Sequence, residues 1–143
     1  METGHSTEMN DLQRMQAIDE QLSHVWMVRT FLKHSDEAAE DEELASVHRD
    51  LYDYMLALGP SLDAMDATRY LRLAKKKLRR LLAACELYHE IQPEISGHTN
   101  FIMAGRSLRL AVTQIQHRLE SSSSLASMPG TTTEEDDGEE DGE

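Results

Sequence analysis

The stretch from Ala67 to Ile91, ATRYLRLAKKKLRRLLAACELYHEI, constrains the fold most because it carries two different faces. Apolar residues recur there at alternating spacings of three and four, which returns each side chain to one side of an α-helix. Basic residues fall on the opposite side of the same helical wheel. The stretch therefore predicts one long amphipathic helix. Its core seam is Leu71, Ala74, Leu78, Leu81, Cys85 and Tyr88, and its basic face is Arg69, Arg72, Lys76, Arg79 and Arg80, flanked by Lys75 and Lys77.

Three more stretches show the same helical spacing of apolar residues. They cover residues 8–34, residues 35 or 36 to 58, and about 100–120. We expect Gly59-Pro60 to end the second helix and Pro93 to end the third near Ile91, because proline cannot continue the hydrogen-bond ladder. Alternating β-branched runs and hairpin dipeptides are absent from the sequence. The pattern predicts an all-α protein.

Short connections between these helices favour antiparallel neighbours, so we predict an up-down-up-down four-helix bundle over residues 8–120. The alternative is a pair of long helical hairpins that complete their core only as a dimer. The predicted seams of the other three helices are Leu12, Met15, Ile18, Leu22, Val25, Trp26 and Leu32, then Leu44, Val47, Leu51, Tyr54 and Leu58, then Phe101, Ala104, Leu108, Ala111, Val112, Ile115 and Leu119.

The two ends of the chain differ from the rest in composition. Residues 121–143 contain eight carboxylates and no basic residue, with Ser, Thr, Gly and Pro between them. Such a segment buries too little apolar area to offset the entropy of ordering it, so we predict that residues 121–143 and 1–7 are disordered. Without the last 23 residues, the formal charge changes from −13 to −5.

Composition and motifs exclude several classes of function. The single cysteine, Cys85, allows no intrachain disulfide and fits a reduced, cytoplasmic environment, where it would serve as a small core residue. We expect neither a signal peptide nor a membrane span, because no long apolar run occurs. No GxSxG elbow, CxxC pair or glycine-rich phosphate loop supports catalysis.

A metal site is the strongest chemical alternative. His48 and His89 border their apolar seams, where two helices could bring them together, and Glu86 precedes His89 by three residues. A single divalent transition metal needs three or four such ligands. A ferritin-like di-iron site is disfavoured, because a second Glu-x-x-His unit is missing. His48 also resembles the phosphorylated residue of a histidine phosphotransfer domain only in being on a bundle helix, since Leu51 and Tyr52 replace the lysine and glycine of that family.

Apolar residues outside the seams suggest a protein contact. Phe31, Met103 and Leu110, together with Met27 and Val28, lie outside the predicted core stripes. Apolar side chains left on a surface favour a partner or a second copy of the chain. We therefore predict a non-catalytic interaction protein that self-associates or docks a protein partner, with a metal-binding bundle or small metalloenzyme as the alternative.

The basic face of the third helix has three interpretations. Arg72, Lys76 and Arg80 mark its centre, and it could be screened internally by the acidic start of the second helix or by the acidic tail. It could also bind an acidic protein, or the phosphates of a nucleic acid. Tyr70 is the one aromatic residue within the basic run that could stack on a base, which disfavours nucleic acid.

Two further features have both structural and functional interpretations. The connection over residues 93–101 is rich in polar side chains, and His98 and Asn100 are its candidate functional residues, although turn and cap chemistry explains most of it. We expect Thr99 or Asn100 to cap the last helix. Arg29 falls inside the apolar face of the first helix, where it would extend to solvent, pair with a carboxylate or bind a ligand.

Overall fold

A computed structural model describes residues 9–120, which form six α-helices and no strand. The all-α prediction is confirmed, but six helices replace the predicted four. The predicted disordered ends lie outside the described residues. No helix within residues 9–120 is long and apolar enough to cross a membrane. The helices are α1 (Asp11–Lys33), α2 (Asp36–Glu40), α3 (Glu42–Asp63), α4 (Ala67–Lys76), α5 (Leu78–Ile95) and α6 (Thr99–Glu120).

The four longest helices contact one another in a cyclic order. Helix α1 packs against α3 and α6, and α5 packs against the same two helices. The Phe31 and Phe101 rings meet near the end of α1 and the start of α6, whereas Met9 and Arg118 meet at the other ends of these helices. Helices α1 and α6 are therefore antiparallel. The shorter α4 packs against α1, α3 and α6 and continues into α5.

The predicted seams form most of the core. Every predicted seam residue of α3 and α6 is buried. In α1 the prediction is wrong at both edges of the stripe: Leu12 and Trp26 are 40% and 45% exposed, whereas Val28, placed outside the seam, is buried. Sequence reasoning also missed Arg14, which is buried and donates to the Met9 carbonyl at 2.9 Å and to Asp11 at 3.1 Å.

The long basic helix is interrupted at Lys77, so the predicted single helix is two helices, α4 and α5. No glycine or proline lies between residues 67 and 91. The Tyr54 hydroxyl of α3 donates to the Ala74 carbonyl at 2.9 Å. An unbroken helix would offer that carbonyl to the Leu78 N–H. A side chain that takes a carbonyl out of the helical ladder is a known cause of such a break.

Two helices run further than their prolines predict. Helix α3 contains Pro60 and ends at Asp63, and α5 contains Pro93 and ends at Ile95. Each proline lies in the last turn of its helix, where it removes a single N–H, and the chain beyond it still bonds back, as in Ala64 N–H to the Pro60 carbonyl. The left-handed residue that ends α3 is Met65, with φ of 54°, rather than Gly59.

Side-chain caps fix where several helices begin. Asn10 accepts from the Gln13 N–H at 2.8 Å before α1, and Asp41 accepts from the Leu44 N–H at 2.9 Å before α3. Asp66 accepts from the Arg69 N–H at 3.1 Å before α4. Asp41 separates α2 from α3, which explains why the predicted second helix is two helices.

Candidate functional site

Two of the three residues predicted to bind a metal, Glu86 and His89, have other partners. Glu86 accepts a hydrogen bond from the Arg109 guanidinium at 2.6 Å, and His89 Nδ1 donates to the Cys85 carbonyl at 2.9 Å. Burial lowers the pKa of His48, and the positive charges of Arg49, Arg29 and Lys33 lower it further. No three or more His, Cys, Asp or Glu side chains in residues 9–120 are grouped so that they could hold a metal. The predicted metal site gains no support.

Cys85 lies in the core on α5, one turn before His89. Burial raises the pKa of its thiol, which disfavours the reactive thiolate. Gly105 of α6 lies against this part of α5: a Cβ at position 105 would come within 3.1 Å of the Tyr88 ring and 3.3 Å of His89 Nε2. The Tyr88 hydroxyl donates to the Phe101 carbonyl at 2.7 Å. These contacts make the region a packing interface.

The three apolar contact residues predicted from sequence differ in their surroundings. Phe31 is half-buried, and its ring meets that of Phe101 edge-on with 4.9 Å between centroids. Its placement outside the core is therefore wrong, because it packs against the core cluster. Met103 and Leu110 are 48% and 67% exposed on α6. Their role as contacts for a second copy or a partner stays a prediction.

The polar connection before α6 works as a helix cap. His98 Nδ1 accepts from the Asn100 N–H at 3.0 Å, and the His98 carbonyl accepts from the N–H groups of Phe101 and Ile102. His98 therefore caps α6, in place of the predicted Thr99 or Asn100. The His98 N–H in turn donates to Ser96 Oγ at 3.1 Å. These bonds give His98 and Asn100 a structural role.

Arg29 contacts aromatic rings, whereas the sequence left open that it extends to solvent, pairs with a carboxylate or binds a ligand. Its guanidinium carbon lies 4.4 Å from the centroid of Tyr52 and 4.9 Å from that of Trp26. Stacking on two ring faces stabilises a cation through the ring quadrupoles. This contact joins α1 to α3 and accounts for an arginine at the edge of the apolar face.

A groove of about 270 Å³ lies between α1 and α3. Its lining is mostly apolar, and Asp19 is the charged residue in it. Burial raises the pKa of Asp19, and the neighbouring charge of Glu20 raises it further. The other polar side chain of the groove is the hydroxyl of Ser23, which donates to the Glu20 carbonyl at 2.6 Å. The groove is lined by Asp19, Leu22, Ser23, Trp26, Met55, Leu58, Gly59 and Leu62.

A cluster of exposed cations covers the outer side of α4 and the start of α5. We call it the basic surface. No acidic residue lies between positions 67 and 85 of the sequence, so the positive charges are uninterrupted along the chain. The inner side of the same helix faces the core. The basic surface consists of Arg69, Arg72, Lys75, Lys76, Arg79 and Arg80, all of which are exposed.

Most of these cations have no salt bridge in the described part of the chain. The salt bridges found in residues 9–120 join Arg14, Arg49 and Arg109 to carboxylates. Arg69, Arg72, Lys75 and Arg79 take part in none of them. Arg80 lies close enough to α3 for its charge to lower the pKa of Asp50, which burial raises. The basic surface is therefore largely uncompensated within residues 9–120.

The acidic start of the second predicted helix does not screen the beginning of α4. The acidic run lies in α2 and in the first turn of α3, whereas α4 follows the other end of α3 after a short turn. A helix of 22 residues is about 33 Å long. Charges in physiological salt are screened over about 8 Å. The acidic tail, which lies outside residues 9–120, is the remaining segment of this chain that could screen the basic surface.

Tyr70 cannot serve as a stacking platform. It is 0% exposed, because it belongs to the inner face of α4 together with Leu71 and Ala74. Tyr70 was the one aromatic residue of the basic run that the sequence offered for stacking on a base, and its burial removes that candidate. The basic surface presents charge without an aromatic ring, and base stacking would require one.

Comparisons with models of known protein families, with curated proteins and with solved structures find no match for this chain. The function must therefore be argued from its own residues.

Proposed function

We propose that this chain is a non-catalytic, protein-binding helical domain whose basic surface binds an acidic segment of a partner. The observation that supports this proposal is the row of exposed cations on α4 and α5, of which Arg69, Arg72, Lys75 and Arg79 form no salt bridge within residues 9–120. Like charges placed side by side repel one another unless counter-charges approach them. A flexible row of carboxylates would supply such counter-charges.

The described helices provide the scaffold for this surface. We infer that α1, α3, α5 and α6 act as an antiparallel bundle, since each contacts two of the others in cyclic order. Helix α4 is held on that scaffold by its buried side, Tyr70, Leu71 and Ala74, and by the Tyr54 hydrogen bond. Binding through the outer side of α4 therefore leaves the core contacts of this helix unchanged.

A protein partner fits better than a nucleic acid. The chain has a formal charge of −13, and residues 1–120 alone have −5, so the field away from the basic surface repels a polyanion as long as DNA or RNA. A short acidic peptide contacts only the local positive field. A partner in the reducing cytoplasm is consistent with the single, buried cysteine of this chain.

The test is a binding titration with a fluorescently labelled poly-glutamate peptide. The variant R69E/R72E/K75E reverses three exposed cations of α4. We expect it to bind at least about tenfold more weakly than the native chain, and we expect native affinity to fall steeply between about 0.05 M and about 0.5 M NaCl. Circular dichroism should show unchanged helix content.

A matched control reverses the same residue types elsewhere. Lys33, Arg49 and Arg106 are also exposed, and K33E/R49E/R106E makes the same change in net charge. This control should retain binding to within about twofold, because distant exposed charges are screened. Equal losses in both variants would show that net charge alone drives binding and would contradict the proposal. Tighter binding of a single-stranded oligonucleotide than of the peptide would favour nucleic acid instead.

A further inference from the structure

We propose that the acidic end of this chain, residues 134–143, binds the basic surface of the same molecule and competes there with an outside acidic partner. The competition rests on the proposed function; the contact itself does not. The residues involved are Glu134, Glu135, Asp136, Asp137, Glu139, Glu140, Asp141 and Glu143 on one side and the six cations of the basic surface on the other.

The two segments have complementary charge patterns. The tail, residues 134–143, has eight carboxylates in ten residues. The whole stretch from 121 to 143 contains no basic residue. The sequence between positions 67 and 85 is the reverse, with seven cations and no carboxylate. Each segment repels itself, and pairing the two relieves both repulsions. No other run of the chain has a comparable excess of positive charge.

The tail leaves the folded part at the end where α4 begins. Helix α6 starts beside the end of α1, where Phe31 meets Phe101, and reaches the start of α1, where Arg118 contacts Met9. Arg29, late in α1, lies against Tyr52 of α3, whereas the earlier Asp19 lines a groove with residues up to Leu62 of α3, so the two helices are antiparallel. Helix α3 therefore ends at this same end, and α4 follows it. Helix α4 also contacts α6 directly.

The connecting segment is long enough for this contact. Thirteen residues, 121–133, separate α6 from the first acidic residue of the tail. A flexible linker of that length has a root-mean-square span of about 20 Å and a maximum of about 45 Å. Because α4 and α6 are in contact, the basic surface lies within this range. Tethering at such a distance gives an effective concentration in the millimolar range, so even a weak contact would be populated.

Zero-length carbodiimide cross-linking of the full chain tests the contact, because it joins carboxylates to lysine amines that touch them. The chain has four lysines: Lys75, Lys76 and Lys77 in the basic run, and Lys33 at the far end of α1. We expect mass spectrometry of the monomer to find tail carboxylates joined to Lys75 and Lys76 at least about fivefold more often than to Lys33 at low salt. This excess should disappear at about 0.5 M NaCl.

Three results would overturn the contact. The first is equal cross-linking to Lys33, which would mean that the tail samples the whole molecule. The second is cross-linking only in a dimer band, which would assign the surface to a second copy. The third is an excess that survives high salt, which would mean that charge does not hold the tail.

The competition is tested separately with the poly-glutamate peptide. A full-length variant with all eight tail carboxylates changed to amides should bind that peptide roughly tenfold more tightly than the native chain, because the tethered competitor is gone. Equal affinities of the two chains would overturn the competition while leaving the proposed function intact. If the peptide binds neither chain, the proposed function and the competition both fail, and the cross-links alone then decide whether the tail binds.

Discussion

At the interface between α5 and α6, polar groups are paired across the two helices. On the outer side of α4, by contrast, the guanidinium groups of Arg69 and Arg72 have no salt bridge within residues 9–120. The Tyr88 hydroxyl donates to the Phe101 carbonyl at 2.7 Å, and Arg109 pairs with Glu86 at 2.6 Å. Both regions are helical and both carry charge. They differ in whether the charged groups find a partner within the fold.

This difference separates stability from binding. A region whose polar groups are already paired has little left to offer a partner, and changes there act on the free energy of unfolding. Exposed cations that the fold leaves unpaired contribute little to stability, and changes there act on association. Changes at the α5–α6 interface should therefore alter stability and leave peptide binding intact, and the reverse should hold for α4.

The largest effect on stability is expected at Gly105. A leucine there would place its Cβ about 3 Å from the Tyr88 ring, which is buried and fixed by its hydrogen bond to Phe101. We expect Gly105→Leu to lower the free energy of unfolding by about 1–3 kcal/mol in urea titrations. The matched control is Gly59→Ala, whose Cβ meets nothing within 4 Å. It should stabilise the helix by about 0.5–1 kcal/mol, and equal destabilisation by both variants would contradict the close approach at Gly105.

An intermediate effect is expected at Tyr54, whose hydroxyl donates to the Ala74 carbonyl just before the break between α4 and α5. Tyr54→Phe removes the donor to the Ala74 carbonyl and should cost about 0.5–1.5 kcal/mol. The freed carbonyl becomes available to the Leu78 N–H, so hydrogen exchange of that amide should slow. Tyr52→Phe, which keeps the ring that contacts Trp26 and Arg29, is the control and should leave this amide unchanged. Unchanged exchange in Tyr54→Phe would mean that Tyr54 does not cause the break.

The smallest effect is expected from the exposed pair of Glu86 and Arg109. The hydrogen bond from Arg109, and then its charge, hold the pKa of Glu86 below the usual value of 4.5. A carboxylate with a lowered pKa stabilises the folded state fully above its unfolded pKa and loses that contribution as the pH falls through its folded pKa. Melting temperatures of the native chain and Arg109→Gln should therefore differ slightly at neutral pH and converge below about pH 4. A difference in melting temperature that stays constant down to low pH would contradict this linkage. Peptide binding at neutral pH should be equal for the native chain and Arg109→Gln.

The sequence predicts those parts of the fold that depend on local periodicity. The seams of α3 and α6 follow spacings of three and four, and every residue in them is buried. The outward direction of the α4 cations follows from the same wheel. These predictions succeed because amphipathic spacing and burial are two consequences of one helical geometry.

The features that sequence reasoning missed depend on contacts between distant residues. At the break, the Ala74 carbonyl accepts from Tyr54, which lies 20 residues earlier in the chain. Gly105 has a role only because Tyr88 lies opposite it, and Arg29 stacks on Tyr52 of another helix. Periodicity contains no information on such pairs, since it describes one helix at a time. Tyr70 is absent from the predicted seam but buried, because the buried stripe of α4 is wider than that seam.

A thermal melt of the native chain and of R69E/R72E/K75E, each with and without the poly-glutamate peptide, tests the central claim most directly. The melt without peptide reports on the fold, and the shift that the peptide causes reports on binding to the folded state. We predict that the two chains melt within a few degrees of each other without peptide, and that the peptide raises the melting temperature of the native chain only. A peptide-induced shift that persists in the variant would contradict the account, as would a native chain that the peptide does not stabilise.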